Sequence, residues 1–584
     1  MTTSPSRSAA LADVSDRRSA RNAAVWAAYL GSAELTGPAM MPAAREPSVI
    51  YRPLLSSRTR AALTAMVVVN TILTAAFLFW LLLPSHLPDP GYVRIENWRV
   101  LAARVCFCLV VIVEAIKVCQ NVAIWLLVYR AMDPVPLAPP TGLRVALLTT
   151  IVASREPIAL VERTLHGMIR LTYRGRLDVW VLDEEDSPEV RAMARRLGVR
   201  HFTRRGRPEY NQPAGEFRAK TKAGNHNAWR AEHEAAYDVV CQMDPDHVPF
   251  PCLLARTLGY FRDPDTAFVV GPQVYGNVYD TFVSRGASVQ QYVFSGVIER
   301  AGNGFGAPLL IGTNHLYRPA AWRQIGGYQD SITEDHLTGM RILGTVNPAT
   351  GRPWRGVYTP DVLAIGEGPT TWTDYFNQQR RWAYGIWQIK VTSRLRRGIA
   401  LAAPQRLLFG MVQFYYPSVA LHLVLGSLAT TAYLLIGGKS ARVDGTQWVA
   451  LWGLSMASWL VLWLWLRRFN LAPHERRDLG LHGIVLTLVA GPVYVAAAIA
   501  ATLRRPLTYT VTAKGGLRST DSARTFRLHW LWAAAAVVVI AASVVLGNSP
   551  PALQVWTGLA LVTGLGPPIA AAVTRARSQR HRPR

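Results

Sequence analysis

The chain has 584 residues, more than one ordinary domain holds, with half of them hydrophobic and only 17% charged, a balance that leans toward a membrane protein. Its net charge is +26, yet many arginines flank apolar segments, as in Arg467-Arg468, Arg476-Arg477, Arg504-Arg505 and the tail from Arg575 to Arg584. That placement fits cytoplasmic flanks facing anionic lipid and speaks against nucleic acid as a partner. The five cysteines show no CxxC spacing, so neither a zinc site nor a disulfide framework is indicated.

Residues 1–59 are rich in Ala, Ser and Arg, carry no signal-peptide pattern, and are expected to form a disordered cytoplasmic tail. Within 60–130, Ala61–Leu83 and Val100–Tyr129 are long and apolar enough to span a bilayer. The second holds Glu114 and Lys117, three apart and so on one helix face. Charges inside a span usually face the bundle interior and are often functional, although a structural pair between helices explains these two equally well.

Residues 135–400 have soluble composition. Arg144–Ala153, Leu177–Leu182 and Tyr237–Met243 predict buried strands, the second ending at Asp183 and the third at Asp244. Helical stretches such as Pro157–Arg170 fall between them, which predicts a mostly parallel α/β sheet with ligands at the strands' carboxyl ends. Residues 401–574 are again apolar. Phe409–Gly437 predicts an interfacial turn and then a span, Trp448–Leu466 a span, and Trp530–Leu546 and Ala552–Val573 two more. The stretch 481–503 carries positive charge at both ends and Gly491-Pro492 at its centre. It is expected to lie in the interface or re-enter, leaving six spans with both termini and the central domain cytoplasmic; a seventh true span is the alternative. A basic tail, 575–584, closes the chain.

Four acidic or aromatic motifs carry chemistry. Asp244-Pro245-Asp246 ends a strand, where two carboxylates two residues apart suit one hard divalent cation, Mg²⁺ or Mn²⁺, that also binds phosphate oxygens. Asp183-Glu184 suits hydrogen bonding to a nucleotide, with an acidic helix N-terminus as the plainer reading. Thr333-Glu334-Asp335-His336 reads either as a helix start or as the seat of a general base, with Asp335 ranked above His336. In Gln378-x-x-Arg381-Trp382, the guanidinium can clamp a diphosphate and the indole can face a sugar ring; an interfacial Arg-Trp anchor is the alternative. Lys222–Asn227 adds a cation and small polar residues, or only a solvated turn. Tyr509–Gly516 offers hydroxyls and a lysine that could close over a phosphate-bearing donor, or only a basic linker.

In chain order, Asp183-Glu184, Asp244-Pro245-Asp246, Thr333-Glu334-Asp335 and Gln378-x-x-Arg381-Trp382 resemble the motif set of the processive family 2 glycosyltransferases, the cellulose synthase-like group. Gly312-Thr313-Asn314 before Arg318 also matches, and Tyr509–Lys514 looks like the group's FxVTxK gating loop with Tyr for Phe. The resemblance covers about 140–516. It implies a multi-pass α-helical membrane protein of the plasma membrane with an inserted cytoplasmic α/β GT-A domain (135–400) and a gating loop at 505–516. It implies inverting, metal-dependent transfer from a UDP-sugar to a growing β-linked polysaccharide, exported through the helices. Asp183, Glu184, Lys222, Asp244, Thr512 and Lys514 would meet the donor, and Asp244 and Asp246 the metal. Asp335 would be the base. Gly312, Thr313, Asn314, Glu334, Gln378, Arg381 and Trp382 would line the acceptor and diphosphate site. Membrane lipids and accessory subunits are the further partners. Glu184 stands where relatives have a second Asp, Leu310-Ile311 where many have an aromatic and a Cys, and no PilZ-type domain is expected after Lys514. Transfer of one sugar to a lipid carrier, and a transporter carrying a degenerate transferase domain, are the competing readings.

Overall fold

Two largely buried runs, Arg144–Ile151 (β1) and Val239–Met243 (β4), form the middle of a seven-stranded sheet. Apolar runs of this kind suit central strands covered on both faces. With Arg176–Asp183 (β2), Arg200–Phe202 (β3), Thr266–Val270 (β5), His315–Tyr317 (β6) and Arg355–Tyr358 (β7), the order is β7-β5-β6-β4-β1-β2-β3. All neighbours are parallel except β6, which is antiparallel to β4 and β5. The structure, a computed structural model, describes residues 7–41, 48–88, 98–436, 441–507, 519–547 and 551–579.

Register explains why the motifs meet. Ile151 pairs with Asp183, Thr149 with Met243, and His315 with both Gln242 and Val270. The carboxyl ends of β1, β2 and β4 therefore share one edge with the amino end of the reversed strand β6. Asp183, Asp244 and Gly312-Thr313-Asn314 all arrive there.

The two sheet faces have different neighbours, sorted by the two-residue alternation of strands. Val145, Leu147, Val181 and Cys241 pack with Val161, Leu165 and Met168 of a surface helix. Ala146, Leu148, Leu182 and Val240 belong instead to a cluster that includes Leu63, Leu127, Leu408, Phe409 and Leu462. Those five lie on the apolar helices α2 (Ser57–Leu81), α3 (Trp98–Arg130), α8 (Ala403–Ile436) and α9 (Gly445–Leu466), so the sheet and the helical bundle share one core. Each such side chain contributes about 1.5–3 kcal/mol on burial.

Among the described residues, five helices are long and apolar enough to cross a membrane. They are α2, α8, α9 with its short extension, α12 (Arg527–Val545) and most of α13 (Pro551–Gln579). Leu481–Val489 (α10) and Gly491–Thr502 (α11) break the 481–503 stretch with a bend of 49°, at the Gly-Pro dipeptide where an interruption was expected. His529 on α12 meets the carbonyl of Val489 at this break, with Nε2 at 2.8 Å.

Two expectations and one alternative reading are corrected. The tail expected to be disordered contains the helix α1 (Arg7–Leu30), with Tyr51–Pro53 paired to Met132–Pro134. Val25 and Tyr29, one turn apart, bury against Phe250, Val362 and Leu471; Asn22 bonds Asp280 at 2.8 Å and Tyr29 Oη donates to Glu475 at 2.7 Å. Alanine and arginine are good helix formers, so the composition was equally that of a helix awaiting a partner. Second, Lys222–Asn227 is no solvated turn: it opens the helix α4 (Lys222–His233), capped by Thr221, with Ala223–Arg230 all buried. Third, no turn interrupts 409–436, because Ala403–Ile436 is one 34-residue helix despite Pro417; Gly437 lies outside the described residues.

Candidate active site

Lys222 is the hub at the sheet edge. Its ammonium donates to Asp244 Oδ1 and to the carbonyl of Gly312. The third acceptor is Gln242 Oε1 at 2.8 Å, while the Gln242 amide nitrogen donates to Gly312 O at 2.6 Å. Asp244 N donates to Thr313 Oγ1 at 3.0 Å, stitching β4 to the loop before β6. One ammonium thus holds the acidic motif, the Gly312 loop and the helix α4 at a single point.

The helix α6 (Glu334–Leu343) brings Glu334 and Asp335 to the same wall. Asp335 Oδ1 accepts the amide of His336 at 2.7 Å, and a Cβ on Gly312 would stand 3.1 Å from Oδ2. Burial raises the Asp335 carboxyl above its ordinary range, opposed by that amide and by Lys222. Burial, then the charge of Asp335, raises Glu334. A carboxylate made more basic this way is suited to take a proton from a hydroxyl. His336 is the weaker candidate: burial lowers it to about 4, it packs edge-on against Phe409, and its Nε2 lies 3.3 Å from Gln413 of α8.

The helix α7 (Trp372–Val391) carries Gln378, Arg381 and Trp382 to the cavity wall. It reaches the Thr333 turn because Gly385 has no side chain; a Cβ there would meet Thr333 Cγ2 at 2.7 Å and its backbone nitrogen at 3.1 Å. Gln379 accepts from Tyr494 of α11 at 2.7 Å. The expected gating-loop residues Thr512 and Lys514 lie outside the described residues. The chain on either side of that segment is fastened to α7: Tyr384 Oη donates to Arg505 O at 2.7 Å, and Ser519 Oγ to Asp374 Oδ1 at 2.7 Å.

Glu184, Lys222, Asp244, Gly312, Thr313, Glu334, Asp335, Gln378, Arg381 and Trp382 line one cavity of about 3260 Å³. It continues into the helical bundle past Tyr415, Tyr416, Trp448, Trp452, Trp459 and Trp556. Asp183, Asp246 and Asn314 do not reach its wall. Asp183 is fully buried, accepts the amides of Glu185 at 3.0 Å and Ser187 at 2.6 Å, and lies 3.3 Å from His201. It builds the turn that presents Glu184. Asn314, at φ +53°, donates to Pro272 O at 3.0 Å and shapes the Gly312 loop from beneath.

Asp244 and Asp246 fit a divalent cation, with His247 as a third donor; one ligand atom from each lies within 4.8 Å of the others. Asp246 Oδ2 already accepts the amide of Glu367 at 3.0 Å, and both ring nitrogens of the buried His247 lack a hydrogen bond among the described residues. An oxygen-rich set with one imidazole suits Mg²⁺ or Mn²⁺.

Two supporting residues escape motif reading. Gln242 shares a face with Asp244 by the two-residue period, which was a usable signal. Arg204 is fully buried and pairs with Glu184 through two bonds, at 2.7 and 3.0 Å, while its other donors hold the carbonyls of Tyr210, Arg218 and Thr221. Nothing in spacing marks it, because its partners come from a loop.

The description glycosyl transferase family group 2 matches residues 239–468, from β4 through α9. The UDP-forming cellulose synthase catalytic subunit of Dictyostelium discoideum is 31% identical over 174 residues, 29% of this chain and 16% of the relative. Its counterpart in Pseudomonas fluorescens (strain SBW25), also UDP-forming, is 25% identical over 408 residues, 67% of this chain and 50% of the relative. Over these stretches the chain is similar to the cellulose synthase-like family 2 glycosyltransferases. It spans half or less of the length of these two family members. Among solved structures, the mannosyltransferase of Pyrobaculum calidifontis in complex with GDP-Man and Mn²⁺ is 17% identical, with a TM-score of 0.46 over 69% of this chain and all of that one.

Proposed function

We propose that this protein is an inverting, metal-dependent GT-A-type glycosyltransferase of the plasma membrane, catalytic domain cytoplasmic, that adds sugar units from a UDP-sugar to a β-linked glucan. The observation that carries the reading is the single cavity joining Asp244, Asp335 and Trp382 to an aromatic-lined passage between the apolar helices.

In this reading the diphosphate lies by Asp244, with Lys222 and Arg381 as its cationic neighbours. Asp244 and Asp246 with His247 would hold a divalent ion, which would supply positive charge for the leaving diphosphate. Asp335 takes the proton from the acceptor hydroxyl as that oxygen attacks the anomeric carbon, and the sugar–phosphate bond breaks on the opposite side. Trp382 supplies a flat face for the acceptor pyranose. Removal of water by the buried wall strengthens each of these charge interactions.

The test is UDP release by the full chain in liposomes, with Mg²⁺ or Mn²⁺ and a panel of UDP-sugars and GDP-mannose, against Asp335→Asn. Turnover lost in the variant, with a product cut by a β-glucan hydrolase, is the expected result. Turnover yielding only a singly glycosylated lipid would replace the polymerase reading. No turnover and no donor binding would remove the enzyme reading.

A further inference from the structure

The helix α1 takes no part in the transfer chemistry, yet it grips the two segments that lie behind the acidic motif. Asn22 accepts the amide of Tyr279 at 3.0 Å, and its side-chain amide donates to Asp280 at 2.8 Å. Just after the helix, Ser32 O accepts the amide of Val362 at 3.1 Å, and Thr36 donates to Asp361 through its amide and its hydroxyl at 2.9 and 2.8 Å. Between these ties Trp26 lies against Gly276, where a Cβ would overlap the indole nitrogen. Its ring also meets Phe250 edge-on, with centroids 6.4 Å apart.

The gripped segments form a short ribbon with the chain that leaves Asp246-His247. Ile365 and Ala364 pair with Val248 and Pro249. On the other side Gly276 N donates to Gly366 O, and Gly366 N to Val274 O, both at 2.9 Å. The ribbon ends on the acidic motif itself. Glu367 N donates to Asp246 Oδ2 at 3.0 Å, and a Cβ on Gly366 would overlap the His247 ring. Strands this short, with glycine at 276 and 366, have little stability of their own. Val25 and Tyr29 supply the missing cover, in one buried cluster with Val274, Val278 and Ile365. The path from Trp26 to Asp246 therefore runs through Gly276, Gly366 and Glu367. Partners that orient metal ligands from outside the coordination set change metal affinity by about 10–100-fold when lost.

We infer that α1 sets the divalent-cation affinity of the site by clamping this ribbon, with Trp26 as its positioning residue. This rests on the reading of Asp244, Asp246 and His247 as the cation's ligands. The helix acts on Asp246 and His247 through the ribbon; it contributes no ligand and takes no part in bond making.

The test is Mn²⁺ binding to the full chain in detergent with saturating UDP, read from loss of the free-ion electron paramagnetic resonance signal. Trp26→Ala is expected to raise the Mn²⁺ Kd about tenfold, and Trp26→Phe, which keeps a ring against Gly276, to stay within about threefold of wild type. Gel filtration and a melting curve establish that each variant is folded. A lower melting temperature with wild-type Mn²⁺ affinity in Trp26→Ala overturns the clamp and leaves α1 a structural cover. Should Trp26→Ala not fold, the wild-type protein answers from the other side, because coupling is reciprocal. Adding Mn²⁺ to the UDP-bound chain must then slow proteolytic cleavage within α1 several-fold, and must not do so in Asp246→Asn. Cleavage indifferent to Mn²⁺ overturns the clamp. A wild-type chain that binds no Mn²⁺, or binds it no better than Asp246→Asn, overturns the metal-site reading and the clamp with it.

Discussion

The sheet edge and the helical passage solve different problems on one cavity. At the sheet edge, a few short-range contacts fix the reacting groups: Lys222 on three acceptors, Asp335 on its own helix amide, Glu184 on Arg204. In the passage, the wall is broad and aromatic, drawn from helices far apart in sequence, with an ion pair from α3. The first arrangement is intolerant of displacement, as catalysis demands. On the proposed reading, the second presents surfaces along which a polymer slides. Changes at the edge should therefore affect rate steeply, and changes elsewhere should affect product or stability more gently.

Asp335→Asn gives the largest expected effect. Loss of a general base lowers kcat by about 10²–10⁴-fold. The same change should raise thermal stability near neutral pH. The folded carboxyl is raised above its unfolded value, so its stabilising share is present at low pH and lost as pH rises through the folded value. A melting curve at pH 7.5 checks this, and the wild-type rate should have an acid limb above the ordinary aspartate range.

Gly385→Leu comes next. Its side chain collides with the Thr333 turn and displaces Glu334 and Asp335. A shift of roughly 1 Å costs about 100-fold in rate, while donor binding, measured by calorimetry with UDP, should change little. Equal loss of both would mean that α7 and the donor side are not separable.

Arg204→Met strands Glu184 without its buried partner and should destabilise the domain by about 3–5 kcal/mol. Denaturant titration reads it.

The smallest effect belongs to α1. Burial raises Glu475 to about 7, and Tyr29 donates to it. Stability from this group is full below the unfolded carboxylate range and fades as pH rises through about 7. Proteolysis of α1 should quicken several-fold from about pH 6 to about pH 8.5, and Glu475→Gln should flatten that dependence.

Much of the catalytic half was legible because its evidence is local. Buried runs located β1, β2 and β4, and the acidic motifs sat at their ends. What was not legible depends on distant partners. Asp183 and Asn314 matched motif positions, yet the turns they build turned both away from the cavity. The helix α1 was hidden because its partners, Phe250 and Glu475, lie hundreds of residues away. The wall of the passage was hidden most: the resemblance implied export through the helices, but no spacing relates Glu114 to Trp452 or Trp556, and only the bundle brings them onto one wall.

Continuity of that wall is the central claim, and cross-linking tests it most directly. Benzoylphenylalanine would replace Trp382 in one protein and Trp556 in another, each given radiolabelled UDP-glucose in liposomes and then irradiated. The account predicts labelled protein in both cases, with the Trp556 adduct digestible by a β-glucan hydrolase and absent from an Asp335→Asn background. Label at Trp382 with none at Trp556, from a chain that makes polymer, would contradict it.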